Sequence, residues 1–313
     1  MPVTSAEAGR FPWRQYLHPR YWHVWLGMGL VRLLSWLPLP AIAVLGAALG
    51  QLIYFLYPPR RHVALRNIGR CFPELGARRA RALTRKNFRA TGQALLATGV
   101  AWWGSRARLR RLVRCANGHI IEEAVAAGRP VILLVGHFVA LEMGGMYLAS
   151  RWPIIDIYRR PRNPLLHAFM VQCRSRFGMG TLAEFKEGIK PVIRALRRKE
   201  LLYYLPDQDF GRRRSVFAPF FGIQTATLPA LGRLVSLTGA AVIPCFSKQL
   251  PAGRGYELIV HPPLEGFDGK DEQGEAARMN RIIEQAVRDM PEQYFWLHKR
   301  FKTRPEGEPD FYK

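Results

Sequence analysis

Five consecutive apolar residues, Val131-Ile132-Leu133-Leu134-Val135, closed by Gly136 and His137, constrain this chain more than any other stretch. A run that is apolar at every position has no face to offer water. It predicts a strand buried on both sides, in a sheet covered by helices. Gly136 ends the strand, a helix-like segment follows, and His137 stands in the turn with Glu142 five positions on. Five residues of helix rotate by about 500°, which would leave the two side chains roughly 140° apart if both were helical. They can meet only if His137 lies in the turn and Glu142 one turn into the helix. An imidazole and a carboxylate at the carboxyl end of a strand occupy the place where open α/β sheets put their sites. The pattern suits a general base, His137, that takes the proton of an attacking alcohol while Glu142 fixes its tautomer. No G-x-S-x-G turn supplies a serine nucleophile, so direct attack by a bound alcohol is expected rather than a covalent acyl-enzyme. The plain alternative is a histidine satisfied by a carboxylate at a helix start.

Further strands are expected at 154–158, 201–205, 241–246 and 256–260, with helices at about 119–127, 164–177, 188–199, 227–238 and 274–290. Strands alternating with helices predict a mixed α/β body from about residue 118 to 313, with a mainly parallel sheet flanked by helices. Residues 61–117 read as a basic helical region, with Phe88, Leu95, Leu96 and Val100 on one apolar stripe. Residues 1–60 read as a lead-in and an anchoring segment. Between 21 and 57 the one charge is Arg32, and Pro38 and Pro40 divide the run into two apolar pieces punctuated by tryptophan and tyrosine. Each piece is at the short end of what crosses a bilayer, and aromatic residues near the ends suit its interface. A cleaved signal peptide fits poorly, because the run starts late and no A-x-A-like site follows it. A pair of buried core helices is the competing reading.

The chain carries 47 Lys plus Arg against 23 Asp plus Glu, a net charge of +24. Such an excess calls for an acidic partner: nucleic acid, anionic lipid or an acidic protein. Four scattered cysteines without C-x-x-C spacing argue against a zinc site and for a reducing compartment.

Two more strand exits hold candidate site residues. Arg159, Arg160 and Arg162 follow 154–158, and guanidinium forks match phosphate or carboxylate. Arg174 and Arg176 close the next helix, where they either serve a substrate or complement the helix end. Asp207 and Asp209 in Pro206-Asp207-Gln208-Asp209 follow 201–205. A D-x-D also occurs in metal-dependent sugar-nucleotide transferases. With no further acidic cluster nearby and Arg212, Arg213 and Arg214 adjoining, polar or ion-pair roles are expected and no metal or cofactor is. The tail from Pro291 to Gly307 mixes aromatic and basic residues, which either stack nucleobases or pack on the core.

Taken in order, these segments resemble the bacterial lipid A biosynthesis acyltransferases, in particular the lauroyl-transferring branch. The resemblance rests on Leu17-His18-Pro19-Arg20-Tyr21-Trp22, on Asn67 with Cys71-Phe72-Pro73-Glu74, and on Gly136-His137 through Glu142. It continues in Tyr158-Arg159 with Asn163-Pro164, in Pro206 to Asp209, and in Trp296-Leu297-His298 through Gly307. It implies a glycerolipid-acyltransferase-like fold tethered to the cytoplasmic face of the bacterial inner membrane. The implied reaction moves a saturated acyl chain from acyl carrier protein to a hydroxyacyl chain of a Kdo-bearing lipid A precursor. Carried onto this chain, the resemblance makes His137 the base, Glu142 its partner, Arg159, Arg174 and Arg176 substrate-binding or structural arginines, and Asp207 and Asp209 the family's acidic pair, counted among the substrate-binding candidates without a settled role. Acyl carrier protein, the precursor and anionic membrane lipids are the implied partners, and nucleic acid is not. Gln208 and Phe210 fall where the lauroyl and myristoyl branches differ. An acyltransferase acting on a lysophospholipid or another glycolipid is the alternative.

Overall fold

The computed structural model describes residues 3–4, 11–178 and 180–313. Its N-terminal helices are α1 (Trp22–Leu34), α2 (Leu39–Leu56), α3 (Pro58–Cys71), α4 (Gly76–Trp103) and α5 (Arg106–Leu112). The α/β body follows with helices α6 (His119–Ala126), α7 (Leu141–Ala149), α8 (Pro164–Arg174), α9 (Lys190–Arg197), α10 (Ala230–Thr238) and α11 (Glu272–Asp289). Its strands are β1 (Val3–Thr4), β2 (Val113–Ala116), β3 (Val131–Leu134), β4 (Ile154–Tyr158), β5 (Gly180–Glu184) and β6 (Leu201–Tyr204). After them come β7 (Val216–Phe220), β8 (Ile223–Thr227), β9 (Ala241–Gln249) and β10 (Tyr256–Val260).

The main sheet runs β1-β5-β4-β6-β3-β9-β10-β2, while β7 and β8 form a separate hairpin. From β5 to β9 all neighbours are parallel; β10 and β1 pair antiparallel with β9 and β5. The expected strands and helices are all present, their ends within a few residues of expectation. Strands β2 and β5 and the hairpin were not foreseen. Each is short, and β2 and β5 carry Arg114 and Glu184 in place of an unbroken apolar run.

All four residues of β3 are buried, because successive side chains enter opposite cores. Ile132 and Leu134 join the side covered by α9, α10 and α11, whereas Val131 and Leu133 join the side covered by α4, α7 and α8. Full burial of one such side chain is worth about 1.5–3 kcal/mol, so both helical layers depend on this strand.

α2 lies along α4 rather than apart from the body. A Cβ on Gly50 would strike the backbone of Phe88, and one on Gly92 would strike that of Gly46. Glycine therefore sets how closely these helices cross. The opposite face of α2 exposes Val44, Leu45, Leu52, Phe55 and Leu56; α1 exposes Trp22, Leu26, Leu30 and Leu33. α2 is long and apolar enough to cross a bilayer, with 39% of its span buried against protein. Of the expected stripe on α4, Phe88, Leu96 and Val100 are buried, and Leu95 is exposed.

Candidate active site

Register builds the centre of the site. Leu134 of β3 stands beside Tyr204 of β6 in parallel pairing, so His137 and Asp207 each lie three residues beyond matched positions. Neighbouring strands are only about 4.8 Å apart, and the two loops leave the sheet side by side. His137 Nδ1 is 2.6 Å from Asp207 Oδ1, and the His137 backbone N–H donates to Oδ2 at 2.7 Å. Burial would raise the Asp207 pKa. The adjacent imidazole and the two bonds from His137 outweigh that and bring it down to about 2. A carboxylate ionised at every ordinary pH fixes a proton on Nδ1 and leaves Nε2 as the acceptor.

The turn itself is held by the tail. Phe295 N–H donates to the His137 carbonyl at 2.8 Å, and Val139 N–H to the Gln293 carbonyl at 2.8 Å. Two buried asparagines hold the tail in turn. Asn87 of α4 donates to the carbonyls of Glu292 and Tyr294, and Asn67 of α3 to those of Trp296 and His298. The sequence offered Asn67 only as part of a motif and Asn87 not at all. A buried asparagine in a helix that must find partners was the available signal.

Glu142 is not the partner of His137, contrary to expectation. It lies in the first turn of α7 and accepts from Arg174 Nε at 3.0 Å and Nη2 at 2.5 Å, and from Trp102 Nε1 at 2.5 Å. Arg174 Nη1 donates to Asp156 of β4 at 2.8 Å. Burial would raise the Glu142 pKa, but Arg174 and Trp102 bring it below the usual value. Asp156 is raised by burial and by the Glu142 charge, in spite of Arg174. Asp156 was missed. The clue was an acid inside an otherwise apolar strand, which must find a partner.

The other expected residues separate. Arg159 is exposed at the cavity rim, its guanidinium 5.3 Å and 5.1 Å from the stacked rings of Phe185 and Phe210. Arg174 reaches the cavity but is saturated by two carboxylates. Arg176 does not line the cavity. It donates to the Ala101 carbonyl at 3.0 Å and lies 3.9 Å over Phe177, tying α8 to the end of α4. Asp209 also turns away. It accepts from Thr303 N–H at 2.7 Å, Thr303 Oγ1 at 2.8 Å and Gly211 N–H at 2.8 Å, latching the tail to the loop after β6. Asp207 and Asp209 thus serve different partners: an extended chain would put residues two apart on one side, but this loop bends at Gln208 between them. Neither Arg176 nor Asp209 stands where it can contact a ligand in the cavity. Asn163 caps α8, accepting from the N–H groups of Leu165 and Leu166, with Pro164 at the first helical position.

His137, Glu142, Asp156 and Arg174 face a cavity of about 330 Å³ that is otherwise largely apolar, walled by α7, β4, β5 and α8. An imidazole whose Nε2 has no hydrogen-bond partner among the described residues, at the edge of such a cavity and on the carboxyl side of a parallel sheet, is placed as in an α/β transferase and can accept a proton from a hydroxyl brought to it. Residues 12–303 match the family profile described as bacterial lipid A biosynthesis acyltransferase. The chain belongs to this family and is an acyltransferase. It is 38% identical to the lipid A biosynthesis lauroyltransferase of Escherichia coli K12, over 95% of this chain and 96% of that one. It is 35% identical to the palmitoleoyltransferase of the same strain (96% and 97% covered) and 34% identical to its myristoyltransferase (96% and 93%).

Proposed function

We propose that the protein transfers a saturated acyl chain, lauroyl in the first instance, from acyl carrier protein to a hydroxyacyl chain of a Kdo-bearing lipid A precursor, with His137 as general base and Asp207 as its orienting carboxylate. The supporting observation is the short Nδ1–Asp207 contact with His137 at the cavity edge. Nε2 takes the hydroxyl proton as the oxygen attacks the thioester carbonyl. The imidazolium that forms is stabilised by Asp207 and returns its proton to the departing sulfur as the C–S bond breaks. The oxygen ends esterified, the carrier ends as a thiol, and no covalent enzyme intermediate is needed.

Arg159, Arg160, Arg162, Arg212, Arg213 and Arg214 are exposed on the two loops that follow β4 and β6. Together they make a cationic rim suited to an acidic carrier and to the phosphates of the acceptor. The exposed apolar faces of α1 and α2 suit contact with a bilayer, with α2 resting on α4 rather than standing alone. We read this contact as placing the cytoplasmic enzyme on the inner membrane. Incubating the purified protein with a mixture of acyl-carrier donors and the Kdo-bearing precursor, then weighing the product, tests the assignment. A precursor heavier by one lauroyl group is expected. Acylation of lysophosphatidic acid with the precursor left untouched would replace this reading.

A further inference from the structure

Of the six arginines on the loops after β4 and β6, two are held differently from the rest. Tyr158 pairs with Glu184 in parallel register, so the next residues, Arg159 and Phe185, leave β4 and β5 side by side. Phe210 comes from the loop after β6, on the other flank of β4. It stacks on Phe185 with ring centres 4.9 Å apart and planes 22° apart. The Arg159 guanidinium lies 5.3 Å from the Phe185 ring centre and 5.1 Å from that of Phe210. The Arg214 guanidinium lies 5.2 Å from the Phe185 ring. Three adjacent strands thus bring two cations to one pair of rings, and Arg159, Phe185 and Phe210 line the cavity that His137 faces.

The other four arginines are placed otherwise. Arg160 pairs with Glu184 at 3.8 Å, and Lys186 takes the second oxygen of that carboxylate at 2.9 Å. Arg212 donates to the Arg304 carbonyl at 2.7 Å and lies over Phe217. Arg162 and Arg213 are exposed and rest on no ring among the described residues. Arg159 and Arg214 are exposed as well, and among the described residues neither side chain meets a carboxylate or donates a hydrogen bond. Two like charges beside one ring repel each other, and an anion that reaches both turns the repulsion into attraction. Resting on rings restrains each guanidinium and leaves its N–H donors free. A single guanidinium fork already matches a carboxylate, whereas a phosphate group has oxygens for two.

We infer that Arg159 and Arg214 form a clamp for one phosphate group of a substrate, held at the edge of the cavity beside His137. The inference rests on acyl transfer at His137 and separates these two residues from the general field of the rim. Both substrates of that reaction carry such a group: the acceptor on its sugars, the donor in the pantetheine arm of its carrier. The test compares the wild type with two double variants that lose the same charge, Arg159→Gln with Arg214→Gln and Arg162→Gln with Arg213→Gln. Thermal melting checks that each is folded. KM and kcat are measured with the intact and the dephosphorylated precursor, and with acyl-phosphopantetheine and acyl-pantetheine as donors. Loss of the clamp should raise KM about 10-fold or more for the substrate that bears the phosphate, with kcat little changed. Removing that phosphate should cost the wild type and the Arg162/Arg213 variant a similar factor and the clamp variant nothing further. Coupling to the precursor's phosphate makes the acceptor the source, and coupling to the phosphopantetheine makes it the donor. Equal losses with and without phosphate on both substrates, or the same coupling in the two double variants, would overturn the clamp while leaving acyl transfer standing. A wild type that transfers no acyl chain would remove the underlying reaction and the clamp with it.

Discussion

Two carboxylates, Asp207 and Glu142, approach the cavity from different sides and are held in different ways. Asp207 sits at a matched register position on a neighbouring strand and spends both oxygens on one residue, His137. Glu142 sits at a helix start and spends its oxygens on Arg174 and Trp102, joining α7 to α8, β4 and α4. The first arrangement governs where a proton rests. The second braces four elements around a cavity that would otherwise lose its shape. Adjacency in the chain pointed to Glu142, whereas the sheet delivers Asp207.

The comparison breaks most sharply at the imidazole. His137→Ala should lower transfer by several orders of magnitude with the thermal midpoint preserved; a folded variant with full activity would end the general-base assignment. Asp207→Asn should cost about 10²–10⁴-fold in kcat, because an amide no longer fixes the tautomer or stabilises the imidazolium. Activity close to wild type in that variant would return the partner role to Glu142. Glu142→Gln leaves Arg174 and Asp156 with an incomplete network; the pair is about one-fifth exposed, so its disruption costs less than the ~3–5 kcal/mol of a fully buried pair. Its activity should fall together with the thermal midpoint, so an unaltered midpoint with no transfer would give Glu142 a direct chemical part. Rising ionic strength should lower kcat/KM for the carrier-linked donor, as expected for steering by a cationic rim. A flat salt profile would remove that function from the rim arginines.

The smallest effect concerns His298, beside the same loop. Burial, and then the charges on His137 and Arg300, depress its pKa to about 4, and its Nε2 accepts from the Asp209 N–H at 3.2 Å. The unfolded chain binds this proton at about 6.5, so the folded state loses stability as pH falls from about 6.5 to 4. Melting of wild type and His298→Gln across that window should converge at the acid end, since glutamine keeps an acceptor without the titration.

Most of the fold was legible because its signals are local. Unbroken apolar runs gave β3 and β6, and the cap Asn163-Pro164 marks where α8 begins. His137 was legible for the same reason, standing where a run of that kind stops. Its true partner was not, because pairing Asp207 with His137 requires knowing that β3 and β6 are neighbours. Five elements, α7, β4, α8, β5 and α9, intervene between those strands, and nothing in either run specifies which strand lies beside it. The D-x-D spacing likewise concealed that its two acids diverge, one to the imidazole and one to Thr303.

Asn67 and Asn87 carry a consequence of their own. Through them, helices from the first third of the chain hold the closing segment, and that segment holds the turn on which His137 stands. Whatever prises α3 or α4 loose, a solvent or a detergent wedged beneath them, should slacken the imidazole before the sheet gives way. Catalysis would then fade while the protein still scatters light and melts like a folded one.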